Sequence, residues 1–194
     1  YNYKTSAGFQ ELTTDLVARY EENPYKILTG TYGSSSTNLY AEEVRKIVGD
    51  PRKNIGMFLE ILLFQGKLDV VEDNDRRLAR DVEAVFIPND QCIRLRNRDY
   101  EAVITGSNRR SLFTFWHEFG HMILGHERTF NREESQEHKA YEDSEWQANT
   151  FAGEILMPLP VIDEENLKTP NVIAERFGVS YAAATSRLRQ LKRI

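Results

Sequence analysis

The chain has 194 residues, enough for one ordinary domain with a small appendage. With 40% hydrophobic and 28% charged residues it can bury a real core, and a formal net charge of −5 excludes a protein that coats nucleic acid by charge alone. The charge is uneven, since residues 168–194 carry a net +5 and the remainder −10.

A single cysteine, Cys92, excludes an internal disulfide framework. Apolar runs are short, Ile61-Leu62-Leu63-Phe64 being among the longest, and no signal-peptide pattern opens the sequence. A reducing, cytoplasmic setting is the expectation.

Phe9, Leu12, Leu16 and Tyr20 fall at helical spacing, closed by Pro24. Residues 29–37 read as a loop. Leu39, Val44 and Ile47 predict a second helix ended by Gly49. Asp50 then caps a third with Pro51 at its first position, its buried face Ile55, Phe58, Ile61 and Leu62, its end Gly66. From Leu68 the period changes to two. Residues 82–87 predict a largely buried strand, and Ile93 and Leu95 alternating with Arg94 and Arg96 predict another with one wet face. A small, mostly antiparallel sheet over 68–97 is the expectation.

Asn108 to His126 returns to helix, apolar over much of its circumference. Ser144 and Gln147 suggest a capping box for the next helix, with Ala148, Phe151, Ala152 and Ile155 on its apolar face and Pro158 and Pro160 at its exit. In the basic tail, Thr169 caps and Pro170 opens a short helix. A turn at Phe177-Gly178-Val179 follows, and Ser180 caps the last helix.

His117-Glu118-Phe119-Gly120-His121 is an HExxH motif. At four-residue spacing both imidazoles leave one helix face about 6 Å apart, able to grip one metal ion. Glu118 points beside the ion, where it can take a proton from an activated water. A catalytic site needs a third protein ligand. His126 has the wrong spacing for the extended HExxHxxGxxH pattern, because Leu124 and Glu127 stand where its glycine and third histidine belong. Glu145 on the following helix is the better candidate, with Glu142 and Asp143 as rivals. Asn149 lies one turn beyond Glu145, and that pair is similar to the ExxxD arrangement of gluzincin peptidases, where the second residue orients a ligand histidine.

HEFGHMILGH, followed by EWQANTFAGEILMP, resembles the ImmA/IrrE metallopeptidase family. The shared features are the HExGH helix, the LGH at its end, the E-x-x-A-N-x-F-A helix and the L-M-P exit. The likeness is clear over roughly 85–194; many relatives carry an acid where Gln147 stands. The resemblance implies an α+β, zincin-like metallopeptidase with an active-site helix beneath an edge strand and a helix-turn-helix-like C-terminal segment. The expected divisions are a helical lead-in at 1–66, the peptidase core at 67–160 and the tail at 161–194. It implies Zn²⁺ held by His117, His121 and Glu145, with Mn²⁺ as the alternative, and Glu118 as general base. It implies a protein substrate, a helix-turn-helix repressor, whose cleavage switches on stress, mobile-element or phage-defence genes. Arg187 and Arg189 are candidate contacts to substrate or nucleic acid. The rival readings are a DNA-binding regulator with a non-catalytic metal site and the toxin of a toxin–antitoxin pair.

Overall fold

The computed structural model describes residues 34–126 and 144–194. The helix expected around Phe9–Tyr20 and the rival ligands Glu142 and Asp143 lie outside the described residues.

Helix α1 runs from Ser34 to Val48, so the loop expected at 29–37 gives way to helix at Ser34. Gly49 leaves it at φ +72. Asp50 caps a turn rather than the next helix, accepting the N–H groups of Arg52 and Lys53 at 3.0 and 3.3 Å. Helix α2 therefore starts later than expected, at Ile55, and ends at Phe64.

Three strands follow: β1 (Leu68–Val71), β2 (Ala84–Ile87) and β3 (Cys92–Arg96), with a single 3₁₀ turn at Pro88–Asp90. The order is β1-β3-β2, β1 parallel and β2 antiparallel to β3. The expected mostly antiparallel sheet is thus half parallel. β3 is central because Ile93 and Leu95 are wholly buried.

Its arginines do not form the expected wet face. Arg96 is 2% exposed and donates to the carbonyls of Val82, Leu78 and Ala79, pinning the β1–β2 connection to the sheet. Arg94 pairs with Asp69 at 2.8 Å. The short helix α3 (Asn97–Thr105) was not expected, because only Val103 and Asp99 of its nine residues are buried and no apolar stripe marks it.

Helix α4 (Arg109–Ile123) carries the HExxH motif, capped by Asn108, whose side chain accepts the Arg110 N–H. Its inner face, Leu112, Phe115, Trp116 and Phe119, packs on Phe58 of α2, with Phe58 and Trp116 stacked at 5.2 Å. This aromatic block holds the helix rigidly and turns the histidines outward. Helix α5 (Ser144–Leu156) crosses α4 closely: a Cβ on Gly120 would lie 3.3 Å from Ala148 Cα and 3.3 Å from Phe151 Cβ. Helix α6 (Leu159–Glu164) takes Pro160 into its first turn.

The tail folds as expected locally. Thr169 caps α7 (Pro170–Phe177), Gly178 turns at φ +64, and Ser180 caps α8 (Tyr181–Gln190). One continuous cluster of buried residues runs from Ala41 of α1 to Leu188 of α8. No helix among the described residues is long and apolar enough to cross a membrane.

Candidate metal centre

His117 and His121 come from α4 and Glu145 from the first turn of α5, and the close crossing at Gly120 brings them together. One ligand atom from each lies within 4.8 Å of the others. The Nε2 atoms of the two histidines are 3.0 Å apart, and the Glu145 oxygens stand 3.4 and 3.5 Å from them. Tetrahedral coordination with bonds of about 2.0–2.2 Å sets ligand atoms roughly 3.3–3.5 Å apart. The tripod fits such an ion closely. Half-buried histidines form its base, while the Glu145 side chain is 58% exposed, leaving an approach open.

Asn149 sits one turn beyond Glu145 and its Oδ1 is 3.2 Å from His117 Nδ1. The amide cannot be turned round without loss, because its Nδ2 donates to the Glu145 carbonyl at 2.8 Å. An amide oxygen only accepts, so His117 Nδ1 carries the proton and Nε2 is left bare, facing the other ligands. Burial lowers the His117 pKa from its ordinary value of 6.5, against the opposing pull of Glu145 and Asn149. A neutral imidazole is the form a metal needs.

Glu118 directly follows the first of the two histidines on α4. Its Oε2 accepts the Phe86 N–H at 2.7 Å, tying α4 to strand β2. That contact was not legible in the sequence, since it joins a side chain to a backbone group 32 residues away.

Two further contacts surround the histidines. His126 Nδ1 is 2.9 Å from His121 Nδ1, and His126 Nε2 is 2.9 Å from Gln147 Oε1. Gln147, expected as a capping residue, points its oxygen at His126, in the turn that follows α4.

The candidate tail contacts part company. Arg187 is 2% exposed and faces inward, its guanidinium paired with the equally buried Glu154 of α5 and its Nε donating to Met157 O at 3.1 Å. It can reach neither substrate nor nucleic acid, which corrects the expectation placed on it. Arg189 is exposed. Arg176 and Arg193 are engaged by Glu165 and Asp163 at 2.5 Å, so the net +5 of the tail is largely matched locally.

Neither the comparison with curated proteins nor that with solved structures gave a match. The family scan matched residues 105–189, from the end of α3 through α8, to Peptidase_M78, described as the IrrE N-terminal-like domain. Those residues contain both HExxH histidines, Glu118, Glu145 and the close helix crossing that joins them. Over that stretch the chain is similar to the Peptidase_M78 family, in keeping with the resemblance of its HEFGHMILGH segment to ImmA/IrrE metallopeptidases.

Proposed function

We propose that the chain is a zinc-dependent endopeptidase that cleaves a partner protein. The observation carrying this reading is the tripod of His117, His121 and Glu145 with a carboxylate beside it, because a purely structural site needs no base. His117, His121 and Glu145 would hold a divalent cation, which would supply Lewis-acid polarisation of the scissile carbonyl and of water. Glu118, held by the Phe86 N–H, is the carboxylate that takes the proton of the attacking water. As the carbon–nitrogen bond breaks, Glu118 returns that proton to the leaving amine.

Strand β2 supplies the substrate rail. It pairs with β3 alone among the described strands. Arg96 donates to Glu83 O, so 83 and 96 form a hydrogen-bonded pair, and by alternation so do 85 with 94 and 87 with 92. Ala84 and Phe86 therefore turn their backbone groups away from β3, on the side where Phe86 meets Glu118. An extended peptide adding there runs past the base and the tripod.

The substrate is a helix-turn-helix repressor, cut to release genes for stress response, mobile-element excision or phage defence. This step rests on the likeness of HEFGHMILGH and the following helix to ImmA/IrrE peptidases. The inward-facing Arg187 weighs against a DNA-reading role for α8. The test incubates the zinc-loaded protein with the helix-turn-helix repressor encoded beside its gene and identifies fragments by mass spectrometry. Cleavage that disappears with chelator and with Glu118→Gln is expected. A repressor left intact by wild-type protein of full metal content would remove this substrate.

A further inference from the structure

We infer that His126 and Gln147 are positioning residues that select the metal-binding tautomer of His121, through a chain of two hydrogen bonds running from α5 to the tripod. The inference rests on the metallopeptidase reading above and concerns residues that reading does not use.

The chain starts with backbone geometry. Helix α4 ends in a Schellman turn: Gly125 sits at φ +67, its N–H meets Met122 O at 3.3 Å, and His126 N–H meets His121 O at 3.0 Å. A left-handed residue is needed there, and glycine takes that conformation without steric cost. The turn folds His126 back over His121, setting the rings at 73° with centroids 4.9 Å apart. This is why His126 cannot serve as a third ligand by continued helical spacing: the helix has already reversed. A hydrophobic contact often joins these two positions in such turns; here a nitrogen–nitrogen hydrogen bond of 2.9 Å joins them.

The proton count then follows link by link. Gln147 presents Oε1 to His126 Nε2 at 2.9 Å, and an amide oxygen only accepts. His126 Nε2 therefore carries a proton, and in the neutral ring Nδ1 is bare. A bare Nδ1 accepts, so the proton in the 2.9 Å contact belongs to His121 Nδ1. His121 Nε2 is left as a lone pair facing His117 Nε2 and Glu145. Asn149 imposes the same state on His117. Both ligand nitrogens are thus held bare, each by a different amide on α5.

This role differs from simple packing. A residue that only filled space would leave the tautomer of His121 open, and an isosteric apolar replacement would serve equally well. A residue that fixes the tautomer needs an acceptor at 147, whether amide or carboxylate.

The experiment measures zinc affinity by competition with a chromophoric chelator for wild type, Gln147→Met, Gln147→Glu and His126→Phe, with thermal unfolding of each. Loss of such outer partners costs about 10–100-fold in metal affinity. Gln147→Met and His126→Phe should show that loss, while Gln147→Glu should bind at least as tightly as wild type. Imidazole ¹⁵N spectra of the zinc-loaded protein should show His121 protonated at Nδ1 and His126 at Nε2. Wild-type affinity in Gln147→Met, or a His126 protonated at Nδ1 alone, overturns the proposal while leaving the tripod standing. A wild-type chain that takes up no zinc overturns the peptidase reading and this inference together.

Discussion

The Glu118 carboxylate and the Phe86 backbone N–H lie 2.7 Å apart, so the candidate base is anchored to the strand on which substrate is proposed to align. Glu118→Gln preserves the anchor, because an amide oxygen also accepts, but it cannot take a proton. Metal content and thermal stability should stay near wild type while peptide hydrolysis falls by ~10²–10⁴. Glu118→Ala loses the anchor as well and should cost a further ~1–2 kcal/mol in stability. Hydrolysis assays beside thermal denaturation separate the two. Equal stability of both variants would mean that the Phe86 contact holds nothing in place.

Gly120 permits the helix crossing that assembles the tripod. A Cβ there meets the Ala148 backbone at 3.3 Å and Phe151 Cδ1 at 3.1 Å, and a backbone atom in a helix cannot swing aside. Gly120→Ala should cost about 1–3 kcal/mol by overpacking. It should also move Glu145 away from the histidines and weaken zinc binding roughly tenfold, the equivalent of ~1.4 kcal/mol. Unchanged zinc affinity in the variant would show that the crossing distance does not control the site.

How far the site can be read from sequence depends on what each residue answers to. His117, His121, Glu145 and Asn149 obey helical periodicity within two uninterrupted helices, so spacing alone places them on common faces. His126 and Gln147 do not, because the turn at Gly125 breaks the projection and the contact crosses between helices. The signal was nevertheless present, since a glycine two residues past the helix end marks a chain that folds back on its last turn. Arg96 and Arg187 misled for another reason. Alternation and charge count both assume that arginine faces water, yet a guanidinium can be satisfied inside by carbonyls or a carboxylate. Helix α3 buries too little to leave an apolar stripe in the sequence, although Gly106 at φ +68 marks its end.

Arg187 and Glu154 tie the tail to the ligand helix. Gly153 lies against that pair, its would-be Cβ 3.3 Å from Arg187 Cδ, so α5 and α8 are in tight contact. Removing one partner of a buried pair leaves an uncompensated charge and costs about 3–5 kcal/mol. Arg187→Ala should therefore be strongly destabilising, whereas exposed Arg189→Ala should stay within about 0.5 kcal/mol of wild type. Combining Arg187→Met with Glu154→Leu should recover much of the loss. Recovery will be incomplete because Glu154 also accepts the Leu159 N–H at 3.1 Å. Urea denaturation of the three variants beside wild type checks this, and a mild Arg187→Ala would return that residue to the candidate partner contacts.

The metal-free protein should lose stability on acidification through His117. Burial depresses its pKa below the ordinary 6.5, while in the unfolded chain the ring titrates near that ordinary value. As pH falls through 6.5 the unfolded chain takes up a proton first, and the folded chain follows only at lower pH. Between those two values the unfolded state binds more protons, so stability drops as pH drops. The contribution is fully present above 6.5 and exhausted once pH passes below the folded value. His117→Gln stays neutral throughout and should lack this component. Its melting temperature in chelator should fall less steeply below pH 6.5 than that of wild type, with the two profiles parallel above it. The difference between the variants is the informative quantity, because every other titratable group is common to both. Metal works in the same direction, since protons and the ion compete for the bare nitrogens, and wild-type protein loaded with zinc should show a steeper acid loss than either metal-free form. Parallel profiles at every pH would mean that His117 is not buried in its neutral form.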